Sequence, residues 1–471
     1  MAAETSAVAQ LAAAHASGAR RVADTVAEAL SRARAIAPLN AFAALDEVGA
    51  MAAAAVLDAR IGAGEEVGPL AGVPVSVKDI LDSAGLPTRW GSLLFADAPP
   101  AQADIAAVGR LKAAGAVVIG KTTTTEFAHS PLGASPLTGL TLNPFDAALT
   151  CGGSSSGAGT SVAMGVTPVT LATDAGCSTR LPAAATGLYG FKPTLSLVPH
   201  ERVPDGFGSF IHLGLLARSV ADIAATLPVV AGPMPADPWS LKGPSGPAPA
   251  GSPLAGRKVL LWLTTGNRMV AGEVEAATRH AAGILEALGA SVRVEAYGFA
   301  HPDPIWSTLQ QSNWALRFAA TPDAALARLS PTLRAGIAAA RGFSALDLLR
   351  AQVARTQLFR QVQGVLGEVD FILTPCVSAP LVGADFDLAG PLAVDGKETG
   401  PLRSEWTSAL SLFDLTGHPA IAMPVGLAQN GGPLGVQLVA RWGADHHLLA
   451  AAAAFGATLP APVCPGAFGA L

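Results

Sequence analysis

Apolar residues recur at helical spacing through roughly the first 60 positions. Thr5 and Ser6 stand where a helix cap is expected, with Gly18 as the stop. Val22, Val26 and Leu30 then fall on one helical face before Pro38. The period changes in "GVPVSVKD", 72–79, where Val73, Val75 and Val77 alternate with Pro74, Ser76 and Lys78, the pattern of a strand. Asp104 is placed to cap a helix carrying Ile105, Val108 and Leu111 and ending at Gly115. "AVVI", 116–119, reads as a buried parallel strand. Past a proline-rich connection, 232–256, the rhythm resumes with the strand "RKVLLWL", the helix "VEAATRHAAGILEALGA" and the strand "SVRVEAY". Residues 303–366 read as helical and contain Trp306, Trp314 and Phe318, taken as packing residues. "DFILTPC", "AIAMPVGL" and "LGVQLVA" supply late strands, the last two joined across Asn430-Gly431. No internal repeat is present. The pattern predicts one large α/β domain over 1–471 with a helical excursion.

Composition narrows the function classes. The 471 residues are half hydrophobic, ample for a large core, and the net charge of −5 is spread without blocks. No basic stripe advertises nucleic acid or an anionic membrane. Heavy alanine and glycine usage reads as GC-rich bacterial coding bias as much as structural demand. The opening residues have neither the charged nor the apolar region of a signal peptide, and no apolar run reaches the roughly 20 residues that cross a bilayer. A cytoplasmic location is expected. Cys151, Cys177, Cys376 and Cys464 form no C-x-x-C pair, so neither a disulfide framework nor a zinc site is expected. The nine histidines show no metal spacing, and His446-His447 reads as part of a surface helix.

Two short motifs point to chemistry that their surroundings do not support. "GAVVIGKT", 115–122, matches the P-loop pattern, but the order is helix, glycine, strand, lysine. A phosphate loop needs a strand first and a flexible turn opening a helix afterwards, so Lys121 is expected to end a strand. Gly153-Ser154-Ser155-Ser156-Gly157 fits a nucleophile elbow centred on Ser155, yet "NPFDAALTCG" before it is turn-like, and Asp414 and His418 have no spacing signature.

A longer constellation is more specific. "GVPVSVKD", "GGSSSGAG" and "TDAGCSTRLPAAATGLYGFKPT" occur in this order, with Ser154 and Ser178 24 positions apart. Together they resemble the lysine strand, the glycine–serine loop and the nucleophile segment of the amidase signature family. The resemblance extends through "RLKAAGAVVIGKTTTTEFA", "SPLTGLTLNPFD", "LARSVADIA" and "FDLTGHPAIAMPVG" to "GGPLGVQLV". It implies a central mixed β-sheet covered by helices on both faces, with N-terminal helices in 1–65 and the signature core in 66–230. It also implies hydrolysis of a linear amide through an acyl-enzyme. Ser178 resembles the nucleophile, Ser154 the bridging serine held by a cis peptide after Gly153, and Lys78 the base. The amides of Ala175, Gly176, Cys177 and Ser178 would line the oxyanion hole, with Ser155, Asp174 and Arg180 in support. No metal or organic cofactor is implied. The expected partner is a small-molecule amide or carbamate, with no nucleic acid or membrane, and the N-terminal helices could serve a homodimer.

These roles are chemically coherent. A serine hydroxyl needs a base, and lysine is one only when neutral, several units below its free pKa of about 10.4. Burial among Val73, Val75, Val77 and Ile80 would favour the neutral amine. A serine between base and nucleophile can pass the proton in and later return it to the leaving nitrogen. Cys177 replaces a common glycine and is expected to narrow the oxyanion region or to select an acyl group. Ser156 replaces another glycine, as in some members with carbamate- or urea-like substrates. The tRNA-dependent amidotransferase A-type subunit is the rival on the same scaffold, but it usually has glutamine where this chain has Leu181. A non-catalytic scaffold is the rival from another class, and the joint presence of Lys78, Ser154 and Ser178 speaks against it.

Overall fold

The computed structural model describes residues 5–240 and 252–471. Its centre is an 11-stranded sheet. In chain order the strands are β1 (Phe42–Leu45), β2 (Pro74–Lys78), β3 (Val117–Thr122), β4 (Val169–Asp174), β5 (Tyr189–Lys192) and β6 (His212–Ala217). They are followed by β7 (Lys258–Leu261), β8 (Ser291–Val294), β9 (Phe371–Pro375), β10 (Ala420–Leu427) and β11 (Pro433–Ala440). The spatial order is β1-β3-β2-β4-β6-β5-β10-β11-β9-β7-β8. β3, β2 and β4 run parallel, as do β9, β7 and β8, with antiparallel pairs between the two groups. The sheet is mixed and carries helices on both faces, as the resemblance implied.

Residue alternation on the strands separates two cores. Val259, Leu261, Leu373, Ile421 and Leu438 face one, while Leu260, Ile372, Ala420 and Val439 face the other. Helices Pro302–Arg317, Pro331–Ala340 and Ala345–Glu368 pack on the second, bringing Trp306, Trp314 and Phe318 into it. At the N-terminus, Ser6 caps helix Ala7–Ala16 by accepting from the Ala9 amide, and Thr5 takes no part. Val22, Val26 and Leu30 are buried on helix Val22–Ala35, so this face packs inside the chain. The β10–β11 hairpin turns through Asn430 and Gly431, with Gly431 at φ +80°. His446 and His447 lie on helix Asp445–Gly456. Part of the 232–256 connection, residues 241–251, lies outside the described residues. Among the described residues no helix is long and apolar enough to cross a membrane, and no cluster of metal-ligating side chains occurs.

Two local expectations change, and β2 is buried at every residue from Pro74 to Lys78. Such a strand tolerates Ser76 and Lys78 only with partners: Ser76 donates to Thr170 Oγ1 at 2.9 Å. Asp104 does not cap helix Ala106–Ala113, whose first amide is donated instead to the Glu201 carboxylate at 2.7 Å. The Asp104 carboxylate accepts from the Ala84 amide at 2.7 Å and pairs with Lys112 at 2.6 Å. The strand from the P-loop match begins at Val117 and continues through Lys121 to Thr122, so the motif is a turn glycine followed by sheet.

Lys121 is completely buried, 3.2 Å from the Asp79 carboxylate, and donates to Thr88 Oγ1. Burial pushes both groups toward their neutral forms, Asp79 up and Lys121 down, against their mutual attraction. Replacing Lys121 with methionine leaves the Asp79 side unpaired and should cost about 3–5 kcal/mol in urea unfolding. The double variant Asp79→Asn/Lys121→Met should recover most of that loss. A single variant of wild-type stability would contradict this structural role.

Candidate active site

The expected site residues converge at the C-terminal ends of β2 and β4. Lys78 ends β2, fully buried, and its Nζ donates to Ser154 Oγ at 2.6 Å and to Thr173 Oγ1 at 3.0 Å. No carboxylate lies within ion-pair distance of it among the described residues. Burial lowers the Lys78 pKa to about 7, against the more distant attraction of Asp174. Ser154 follows a cis peptide after Gly153, as expected. The loop requires its glycines: Gly152 sits at φ +73°, and a Cβ on Gly153 would lie 2.6 Å from the Ser130 carbonyl oxygen.

Ser178 lies in the turn between β4 and helix Arg180–Ala185. Asp174 sets that turn, accepting from the Ser178 amide at 2.7 Å, the Arg180 amide at 3.2 Å and Arg180 Nε at 2.8 Å. Arg180, itself buried, reaches Gln437 Oε1 at 2.5 Å and Asp414 Oδ2 at 2.6 Å. Burial alone would raise the Asp174 carboxyl, but Arg180 holds it below the usual carboxylate range. Asp414 is pushed well up by burial, with Asp174 adding to the shift, so Asp174 is the firm anion of the pair. Ser155 Oγ donates to the Thr173 carbonyl at 3.4 Å.

Two readings of this segment are corrected. The Ser178 amide, expected in the oxyanion hole, is already donated to Asp174. Ala175, Gly176 and Cys177 remain, and their amides have no acceptor among the described residues. Cys177 does not narrow that region: its thiol turns toward the Gly153 carbonyl, 3.7 Å away, and is absent from the cavity wall. Burial pushes this thiol up to about 12, which leaves it no thiolate character near neutral pH. The elbow reading also fails, since Ser155 precedes helix Ser156–Ala163 without a strand before it, and His418 bonds Gln363 at 2.8 Å.

Ser178, Thr173, Ala175 and Gly176 line a cavity of about 480 Å³. Its walls include Trp90, Phe127, Trp306 and Trp314. The tryptophans therefore form wall as well as core, and Trp306 Nε1 donates to the Ala175 carbonyl at 2.6 Å. A Cβ on Gly176 would lie 3.0 Å from Trp306 Nε1, so the turn after β4 and the helical excursion meet at glycine. Sequence reasoning missed Thr173, Gln437 and Arg403. Thr173 directly precedes the Asp174 of the quoted motif, but Gln437 and Arg403 lie far along the chain with no local signal.

Residues 24–449 match the model of the Amidase family. The chain is a hydrolase of carbon–nitrogen bonds other than peptide bonds, of the kind that acts on linear amides. It belongs to the amidase signature family. It is 34% identical over 455 residues to an indoleacetamide hydrolase of Bradyrhizobium diazoefficiens, covering 93% of this chain and 83% of that protein. It is likewise 34% identical over 425 residues to the A-type subunit of the glutamyl-tRNA(Gln) amidotransferase of Thermus thermophilus, covering 82% of this chain and 84% of that one. Among solved structures, a bacterial aryl acylamidase of the amidase signature family superposes with a TM-score of 0.88 at 28% identity, covering 96% of each chain.

Removing Arg180 strips two buried carboxylates of their cation. Arg180→Met should destabilise the chain by about 3–5 kcal/mol in urea unfolding. Arg180→Lys should recover little, because one ammonium cannot reach Asp174, Asp414 and Gln437 from a planar fork. A lysine variant as stable as wild type would refute this geometry.

Proposed function

We propose that the chain hydrolyses a linear amide through an acyl-enzyme on Ser178, with Ser154 as proton relay and Lys78 as base. The observation that carries this reading is the 2.6 Å contact between a fully buried Lys78 and Ser154, behind a cavity whose wall contains Ser178. With Lys78 neutral, the proton of Ser154 passes to its amine while Ser154 takes the proton of Ser178. Ser178 Oγ then bonds to the carbonyl carbon, and the oxyanion is met by the free amides of Ala175, Gly176 and Cys177. As the tetrahedral adduct collapses, the C–N bond breaks and the nitrogen leaves with a proton returned through Ser154. Water repeats the sequence on the acyl-enzyme and releases the acid.

Aryl amides suit the aromatic walls, and the likeness to an aryl acylamidase and an indoleacetamide hydrolase supports that preference. Esters and carbamates present the same carbonyl to the same groups and fall within the proposed scope. The amidotransferase reading has the Thermus thermophilus relative in its favour. Against it, the position after Arg180 is Leu181, wholly buried in the apolar core.

Nitroaniline release from acyl-anilides tests this reading. Ser178→Ala should abolish release, and Lys78→Met should lower kcat by roughly 10²–10⁴ as general-base assistance is lost. Because Lys78 works only deprotonated, wild-type kcat/KM should fall as pH drops through about 7. Equal release by wild type and Ser178→Ala would sink the nucleophile assignment.

A further inference from the structure

Three arginines line the cavity beside Ser178, Arg202, Arg317 and Arg403, none of them ion-paired among the described residues, and Arg317 and Arg403 stack on its aromatic rings. Arg317 lies 4.2 Å over the Trp90 ring and 4.9 Å over the Phe127 ring. It has no hydrogen-bond acceptor and no carboxylate within ion-pair distance among the described residues. Arg403 lies 4.1 Å over the Trp306 ring, and the only hydrogen bond of its guanidinium among the described residues goes to the His129 carbonyl at 2.6 Å. Its other terminal nitrogen is 3.3 Å from the place a Cβ on Gly176 would occupy, next to the proposed oxyanion amides. Both arginines line the same cavity as Ser178. Asp82 and Asp205 also line it, but neither forms an ion pair with either arginine.

Stacking on aromatic faces orients a guanidinium while leaving its in-plane N–H donors free. A guanidinium held against an aromatic wall without a counter-ion presents its charge and its free N–H donors to an anionic group entering the cavity. Arg317 keeps an exposed side, and the partial desolvation it does suffer lowers its pKa with no neighbouring charge compensating. By contrast, the fully buried Arg180 is paired with the carboxyl groups of Asp174 and Asp414. Gln310 adds an acceptor in the same cavity, its Oε1 buried without a donor, suited to an N–H of a bound molecule.

We propose that the substrate is an aromatic amide bearing a carboxylate, with the ring held among Trp90, Phe127, Trp306 and Trp314 and the carboxylate held by Arg317 and Arg403. This deepens the amidase reading by naming the substrate class of that site. The recognition is charge-assisted and bidentate, so it discriminates against an uncharged analogue of the same shape.

Binding separates this proposal from turnover. In Ser178→Ala protein, calorimetric titration with 4-acetamidobenzoate and with its neutral counterpart 4′-methylacetanilide compares two amides of nearly equal shape. The carboxylate should bind roughly 10-fold or more tightly, and the preference should shrink as salt is raised. Arg317→Met and Arg403→Met should each reduce the ratio of the two affinities, and Arg317→Lys should keep part of it. Loss of packing alone would weaken both ligands in proportion and leave the ratio unchanged. Equal or undetectable affinity for the two compounds, or a preference that survives both methionine variants, overturns the proposal. Failure of nitroaniline release would instead strike the acyl-enzyme reading and leave the affinity ratio standing.

Discussion

Asp174 and Arg180 lie at the two ends of the turn that presents Ser178, and their pairing fixes that turn. One carboxylate oxygen of Asp174 takes the Ser178 amide, while the other takes Arg180 twice, through its backbone and its Nε. Arg180 then reaches Asp414 at the end of helix Ser408–Thr416 and Gln437 on β11. Two remote segments are thus tied to the turn by groups that are wholly buried. In such a place no partner can be exchanged for water, so the geometry of the turn is over-determined. The unpaired amides of Ala175, Gly176 and Cys177 can exist because Asp174 supplies the order that hydrogen bonding would otherwise give them.

The chain buries Lys78, Lys121 and Lys192 completely, and their surroundings give them different chemistry. Lys121 faces the Asp79 carboxylate. Lys192 is lowered to about 7 by burial much as Lys78 is, but it donates to the backbone carbonyls of His418 and Pro193. Carbonyls only accept, so Lys192 can hold a proton there but has no group to take one from. Among the described residues the Lys78 amine bonds only to the hydroxyls of Ser154 and Thr173, each able to give as well as accept. A depressed pKa is shared; a partner that can relay a proton is not, and that difference selects Lys78.

The nucleophile segment was legible because its chemistry is local. Asp174, Ser178 and Arg180 act on one another across six positions, and a short motif carries all of it. The strands that hold the site were legible from Val73, Val75 and Val77 and from the apolar run before Lys121. What lay beyond reading depends on contacts distant in sequence. Trp306 serves both core and cavity because its indole meets Ala175, 131 positions away. Arg403 resembles any surface arginine until the fold brings it over Trp306. The Cys177 side chain could be read toward or away from the oxyanion amides until the turn set its direction, and the Ser178 amide looked free until Asp174 was seen to take it.

The catalysis proposed for this site requires that Ser178 be the hydroxyl that attacks and that Lys78 be what makes it attack. Labelling with an aryl fluorophosphonate tests both without assuming a substrate. The serine oxygen bonds to phosphorus as fluoride leaves, and intact mass with peptide mapping then locates the adduct. The expected result is one phosphonyl group per chain, on the peptide containing Ser178, with a labelling rate roughly 10²-fold or more slower in Lys78→Met. An adduct on another residue, or an undiminished rate in the lysine variant, would contradict both assignments.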